Sequence, residues 1–155
     1  MDELERAIAN APAFFGLDAE QLRFVAGCAQ REQVSAGTWM TREGHPAERF
    51  FLIEQGAVAL QVYSSAHGEL VVGTLHDREM LGWSWLFAPY RWRIDSRAVV
   101  ATAVIAFDGI RLRDACESNT RLGYRLIANF AAIAIDRLQD TRLQLLDVYA
   151  NPGVR

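Results

Sequence analysis

Between Arg31 and Asp108 the sequence is cut into short extended runs by glycines at 37, 44, 56 and 68, spaced 7 to 12 residues apart. That interval is the length of one strand plus one turn, the signature of an antiparallel sandwich or barrel made of hairpins. Alternation is visible within the runs. In "AVALQVYS", Val58, Leu60 and Val62 fall on one face of a strand. A last β pair reads "RAVVATAVIAFD" and ends at Asp108.

The flanks have a different period. "ELERAIANAPAFF" and "LDAEQLRFVAGCAQ" carry apolar residues at helical spacing, broken by "PAFFG" at residues 12–16. Asp18 is placed to cap the second helix, with Leu22, Phe24 and Val25 available for packing. After Asp108 comes a short helical run, "GIRLRDAC". A long one follows, "NTRLGYRLIANFAAIAIDRLQDTRLQLLDVYA", for which Asn151-Pro152-Gly153 supplies a stop. The order is helices, sheet, helices, an α+β arrangement. The 155 residues suit one domain spanning 1–155, with N-terminal helices over 3–30, a β region over 31–108 and C-terminal helices over 109–149.

The long helix carries two apolar stripes. Leu122, Leu126, Phe130 and Ile133 would pack on the sheet and end halfway along. Ile127, Ala131, Ala134, Leu138, Thr141, Leu145 and Val148 are spaced 4, 3, 4, 3, 4, 3, which is a heptad seam. A seam that outruns the first stripe points to a homodimer built on paired long helices, the alternative being a helix packed along its own barrel. Ala131 and Ala134 leave room for close approach.

Composition excludes several classes. No apolar run approaches the roughly 20 residues that a membrane helix needs. The acidic start "MDELERAIAN" lacks the basic and apolar regions of a signal peptide, so a cytoplasmic location is expected. Net charge is −3, all 16 basic residues are arginine, and a domain built mainly to hold DNA is usually basic instead. Cys28 and Cys116 are too few and too far apart for a metal or cluster site, and read as apolar fillers. His45, His67 and His76, with Met40 and Met80, are the remaining candidate axial ligands; His45 and His67 sit in turn-like sequence, and no metal or cofactor is expected. No G-x-S-x-G, P-loop or H-E-x-x-H is present, and Ser84 has no histidine nearby in sequence, so an enzyme is not expected.

Taken in order, "APAFFGLDAEQL", "VSAGTWMTREGHPAERFFLIEQGAVAL", "LGWSWLF" and "SRAVVATAVIAFD" resemble the cyclic nucleotide-binding domain of the Crp/Fnr regulators. The resemblance covers roughly residues 10–148. It implies a jelly-roll-like antiparallel β-roll of about eight strands, flanked by N-terminal helices and a long C-terminal helix that dimerises. It also implies a phosphate-binding cassette after "LG": a glycine that lets backbone N–H groups reach a phosphate, a glutamate for the ribose hydroxyl, and an arginine for the cyclic phosphate. Those regulators continue into a helix-turn-helix domain. None follows here, so direct DNA contact is not expected.

Residue by residue, Gly82 matches the cassette glycine, and Leu86 and Phe87 match the apolar residues that close its short helix. The glutamate position is Trp83, and an indole has no acceptor to offer a hydroxyl. The arginine position falls on Trp92, between Arg91 and Arg93. If Ile94, Ser96 and Ala98 point inward, Trp92 does too, and Arg93 and Arg97 point out. Loss of two charge-assisted anchors would remove about 3–6 kcal/mol, or roughly two to four decades of affinity. The candidate ligand site is thus Gly82, Trp83, Ser84, Trp85, Arg91, Trp92 and Arg93, a degenerate cassette with lost or weak cyclic nucleotide affinity. The reading is a dimeric sensor or adaptor that takes a small molecule or a protein partner. Three alternatives stand beside it. The indoles could fill the roll and leave a ligand-free scaffold. The site could take an apolar or aromatic anion. Or Arg93 or Arg91 could still hold cyclic AMP or cyclic GMP.

Overall fold

The computed structural model describes residues 1–150. The proposed helix stop at Asn151, Pro152 and Gly153 lies outside them. Two short helices come first, α1 (Glu3–Ala9) and α2 (Ala19–Gly27), joined through a single 3-10 turn, Pro12–Phe14. The Asp18 side chain accepts from the Gln21 backbone N–H while the Gln21 side chain accepts from that of Asp18, a reciprocal cap that fixes the start of α2. Leu22 and Val25 are buried, but Phe24 faces solvent rather than the core.

Eight strands follow: β1 (Ala29–Val34), β2 (Trp39–Thr41), β3 (Arg49–Gln55), β4 (Val58–Ser64), β5 (Gly68–Leu75), β6 (Met80–Leu81), β7 (Asp95–Ala98) and β8 (Thr102–Asp108). They form two four-stranded sheets, ordered β1-β8-β3-β6 and β2-β7-β4-β5, with every pairing antiparallel. The roll begins at Ala29, two residues earlier than the sequence suggests. Ala29 pairs with Phe107, and the Asp108 N–H donates to the Cys28 carbonyl, so the ladder claims residues that the helical spacing assigned to α2.

Strand β3 shows how the core divides. Its run "RFFLIEQ" is apolar on both faces because both are covered. Phe50 and Leu52 join a cluster under the helices; Phe51 and Ile53 join Val58, Leu75, Leu81, Val104 and Ala106 inside the roll. The first cluster is built on stacked rings. Phe50 lies 4.2 Å from Trp85 and 4.7 Å from Phe107, both nearly parallel, and Phe130 closes the stack edge-on. Full burial of each such side chain contributes about 1.5–3 kcal/mol.

The C-terminal helices are α3 (Gly109–Ser118) and α4 (Thr120–Ala150). Gly123 lets them cross closely, since a Cβ there would sit 2.7 Å from the Cys116 carbonyl oxygen. Leu122, Leu126 and Phe130 are buried and Ile133 is partly so. Beyond Ala134 the helix runs past the core, and from Leu138 to Ala150 every residue is exposed.

Candidate functional site: the cavity behind Gly82

Strand β6 ends at Leu81, and Gly82 turns the chain with φ +99, a conformation that side chains other than glycine's rarely adopt. Residues 83–90 form successive tight turns, with Leu86 N–H donating to the Trp83 carbonyl and Tyr90 N–H to that of Phe87. The Ala88–Pro89 peptide is cis. No helix forms here, so the short cassette helix implied by resemblance is replaced by turns. The returning chain is tied to the loop before β3: Ala47 N–H donates to the Tyr90 carbonyl, Trp92 N–H to that of His45, and Gly44 N–H to that of Trp92. From α3, Arg113 donates to the Trp85 carbonyl at 2.7 Å and lies 4.0 Å over the Tyr90 ring.

This frame aims Trp92 at Gly82. A Cβ on Gly82 would come 2.5 Å from Cη2 and Cζ3 of the Trp92 indole. The glycine is therefore needed for the indole as well as for its own φ. The space beside the ring is a cavity of about 340 Å3, lined by Leu60, Val72, Leu81, Gly82, Trp83, Ser84, Trp92, Arg93, Ile94, Arg137 and Thr141. That volume lies at the small end of ligand pockets. Its wall is mostly apolar and contains no carboxylate.

The sequence-derived site residues separate. Gly82, Trp83, Ser84, Trp92 and Arg93 come together on the cavity wall. Trp85 does not; it is fully buried in the ring stack under the helices. It sits in a turn, where no strand alternation fixes which way a side chain points. Arg91 lies outside the cavity, and its guanidinium donates to the Gly44 carbonyl at 2.8 Å. Arg93 makes one long hydrogen bond, to the Ala88 carbonyl at 3.4 Å, and is exposed.

Two cavity residues come from α4. Arg137 is not among the sequence-derived site residues, and Thr141 belongs to the sequence-derived dimer seam. Arg137 is partly buried, donates to the Met80 carbonyl and lies 4.9 Å over the Trp83 ring. Burial lowers its pKa from the ordinary arginine value, and the negative charge of Glu79 works against that shift. A signal for it exists in the sequence: the stripe Leu122, Leu126, Phe130, Ile133 continues by one more helical step of four to Arg137. The rest of the seam is on the surface, with Ile127, Leu138, Leu145 and Val148 exposed and Ala131 and Ala134 partly buried.

Comparison with known proteins decides the family. The cyclic nucleotide-binding domain profile matches residues 31–119. A putative cyclic nucleotide-binding protein from Geobacter metallireducens is 30% identical, with a TM-score of 0.78 over 89% of this chain and 99% of that one. This chain belongs to the cyclic nucleotide-binding domain family. The N-terminal domain of a transcriptional regulator from Streptomyces coelicolor shares the fold at 21% identity and TM-score 0.67, covering 90% of this chain and 94% of that one. So does the regulatory subunit of a cAMP-independent protein kinase A from Trypanosoma brucei, in a mutant form bound to cAMP, at 17% identity and TM-score 0.72, covering 85% of this chain and 46% of that one. No curated protein matches the sequence.

Among the described residues no three His, Cys, Asp or Glu side chains gather to hold a metal ion. Burial raises the pKa of both cysteine thiols, opposite to the shift that activates a nucleophile. No described helix is long and apolar enough to cross a membrane.

Proposed function

We propose that this domain is a non-enzymatic, small-ligand-binding regulatory module of the cyclic nucleotide-binding type whose own affinity for cyclic nucleotides is lost or much reduced. One observation carries the reading: the Trp92 indole packs directly against Gly82, the residue at which the family resemblance puts the cyclic phosphate, and so narrows the approach to its backbone. Two others support it. The cavity offers no carboxylate to a ribose hydroxyl, and Arg91 lies outside it, donating to the Gly44 carbonyl. We further propose that the module acts in the cytoplasm as a homodimer through the exposed face of α4, passing the state of the cavity to a partner.

Isothermal titration with cyclic AMP and cyclic GMP tests the central claim. The expected result is no saturable binding below about 100 μM, following the estimated loss of two to four decades. A low-micromolar Kd for either nucleotide overturns it.

A further inference from the structure

The feature of the cavity that its apolar walls leave unexplained is Arg137. Its side chain is partly buried, where an unpaired charge is more costly than at the surface. Among the described residues it forms no ion pair; it donates to the Met80 carbonyl and lies over the Trp83 face, and the Glu79 carboxylate acts on it only from beyond ion-pair distance. An arginine has five N–H donors, and one hydrogen bond to a carbonyl leaves most of them unspent. The remaining wall is mostly apolar, with Ser84, Thr141 and the exposed Arg93 as its other polar members. Two indoles, Trp83 and Trp92, stand with Leu60, Val72, Leu81 and Ile94. The Thr141 hydroxyl is one helical turn from Arg137 on the same face.

We infer that the cavity is a receptor for a small aromatic monocarboxylate, its ring held between Trp83, Trp92 and the aliphatic wall, its carboxylate held by Arg137. The inference deepens the proposed function and rests on it, since a cyclic nucleotide and such an acid would compete for one space. The polarity of the site is the reverse of a cassette that grips its anion from the turn after β6: here the cation comes from α4. A planar guanidinium matches a carboxylate with two parallel hydrogen bonds, and its apolar surroundings strengthen both. Polarity decides between the ligand classes: a cavity of about 340 Å3, mostly apolar, with no carboxylate for ribose hydroxyls, suits a single ring with a short acid arm.

The test is isothermal titration of the whole chain with benzoate, phenylacetate and 4-phenylbutyrate, each against its primary amide, with cyclic AMP as a separate arm. The expected result is saturable binding of at least one acid, with its amide weaker by about tenfold or more, the difference one charge-assisted pair makes. Arg137→Gln should remove that preference for the acid, whereas Arg93→Gln, at the exposed arginine of the same wall, should leave it intact. Circular dichroism checks that each variant is folded; if Arg137→Gln is not, the acid–amide comparison on the native chain still decides. Equal binding of acid and amide overturns the role of Arg137. Failure of all three acids together with no cyclic AMP binding overturns this inference and leaves the proposed function standing. Tight binding of cyclic AMP, with the acids inert, overturns both.

Discussion

The Trp92 indole and the Cα of Gly82 are in such close contact that a methyl group on the glycine would come 2.5 Å from two ring carbons. The relationship ties a backbone conformation to a side chain ten residues later. Gly82→Ala should therefore be destabilising on two counts. Alanine is strained at φ +99 by about 1 kcal/mol, and the clash with a packed indole adds about 1–3 kcal/mol. Trp92→Ala alone should cost about 3–5 kcal/mol. In that background Gly82→Ala should cost only the backbone strain, so the two changes are non-additive by about 1–3 kcal/mol. Urea denaturation of the four proteins measures this, and strictly additive effects would show that the indole does not set the requirement for glycine.

How far the site was legible depends on which element carries each residue. In β7 the strand period settles orientation: Ser96 and Ala98 are buried, Arg97 is exposed, and Trp92 and Arg93 just before the strand follow the same alternation. The antiparallel arrangement of hairpins likewise follows from glycine spacing and alternation, because turns and a half-buried face are local properties; the roll of about eight strands is what the family resemblance implies. Trp85 lies in irregular turns, where no period exists, and only the three-dimensional stack with Phe50 and Phe130 decides its place. Arg137 was hidden for a different reason. It occupies a core-facing position of α4, but a charged residue looks like the end of an apolar stripe until the cavity beyond Phe130 is seen. Thr141 fits both a heptad seam and the cavity-facing stripe, and spacing alone does not separate them.

Cys116 gives a pH prediction. Burial between α3 and α4 pushes its thiol from 9.0 to about 11. At pH 8 the folded chain should hold roughly a hundredth of the thiolate of the unfolded chain at this position, and iodoacetamide should label it correspondingly slowly. The sign for stability follows from the raised value. Between pH 9 and about 11 the unfolded chain has released this proton and the folded chain has kept it, so stability falls as pH rises through that window and is fully present below it. Cys116→Ser should flatten the slope there. Rapid labelling of Cys116 in the folded protein at pH 8 contradicts the burial argument.

Arg113 is the fastening of the turn that replaces the cassette helix. Its hydrogen bond to the Trp85 carbonyl and its contact with the Tyr90 ring join α3 to both ends of that turn. Arg113→Ala should cost about 1–3 kcal/mol. The change should be local: amide exchange over residues 83–90 should quicken while the β3–β8 ladder stays protected. Uniform acceleration across the chain, or none, counts against this role.

The last prediction concerns the half of α4 that leaves the core. Ile127, Leu138, Leu145 and Val148 are 45%, 51%, 56% and 48% exposed, and they line up along one side of the helix. Isolated exposed leucines are ordinary, but an apolar row that runs well past Phe130, the last fully buried residue of α4, is what a paired helix covers. Light scattering should give a mass of twice 17.4 kDa. Leu138→Asp with Leu145→Asp should place two like charges in each half of the seam and return the mass to 17.4 kDa. The roll should stay folded through this change, because its buried contacts on α4, Leu122, Leu126 and Phe130, lie at least eight residues before the first substitution. Unfolding of the double variant would instead assign those leucines to the core. A native mass of 17.4 kDa at working concentration would leave the α4 face without a second copy to cover it.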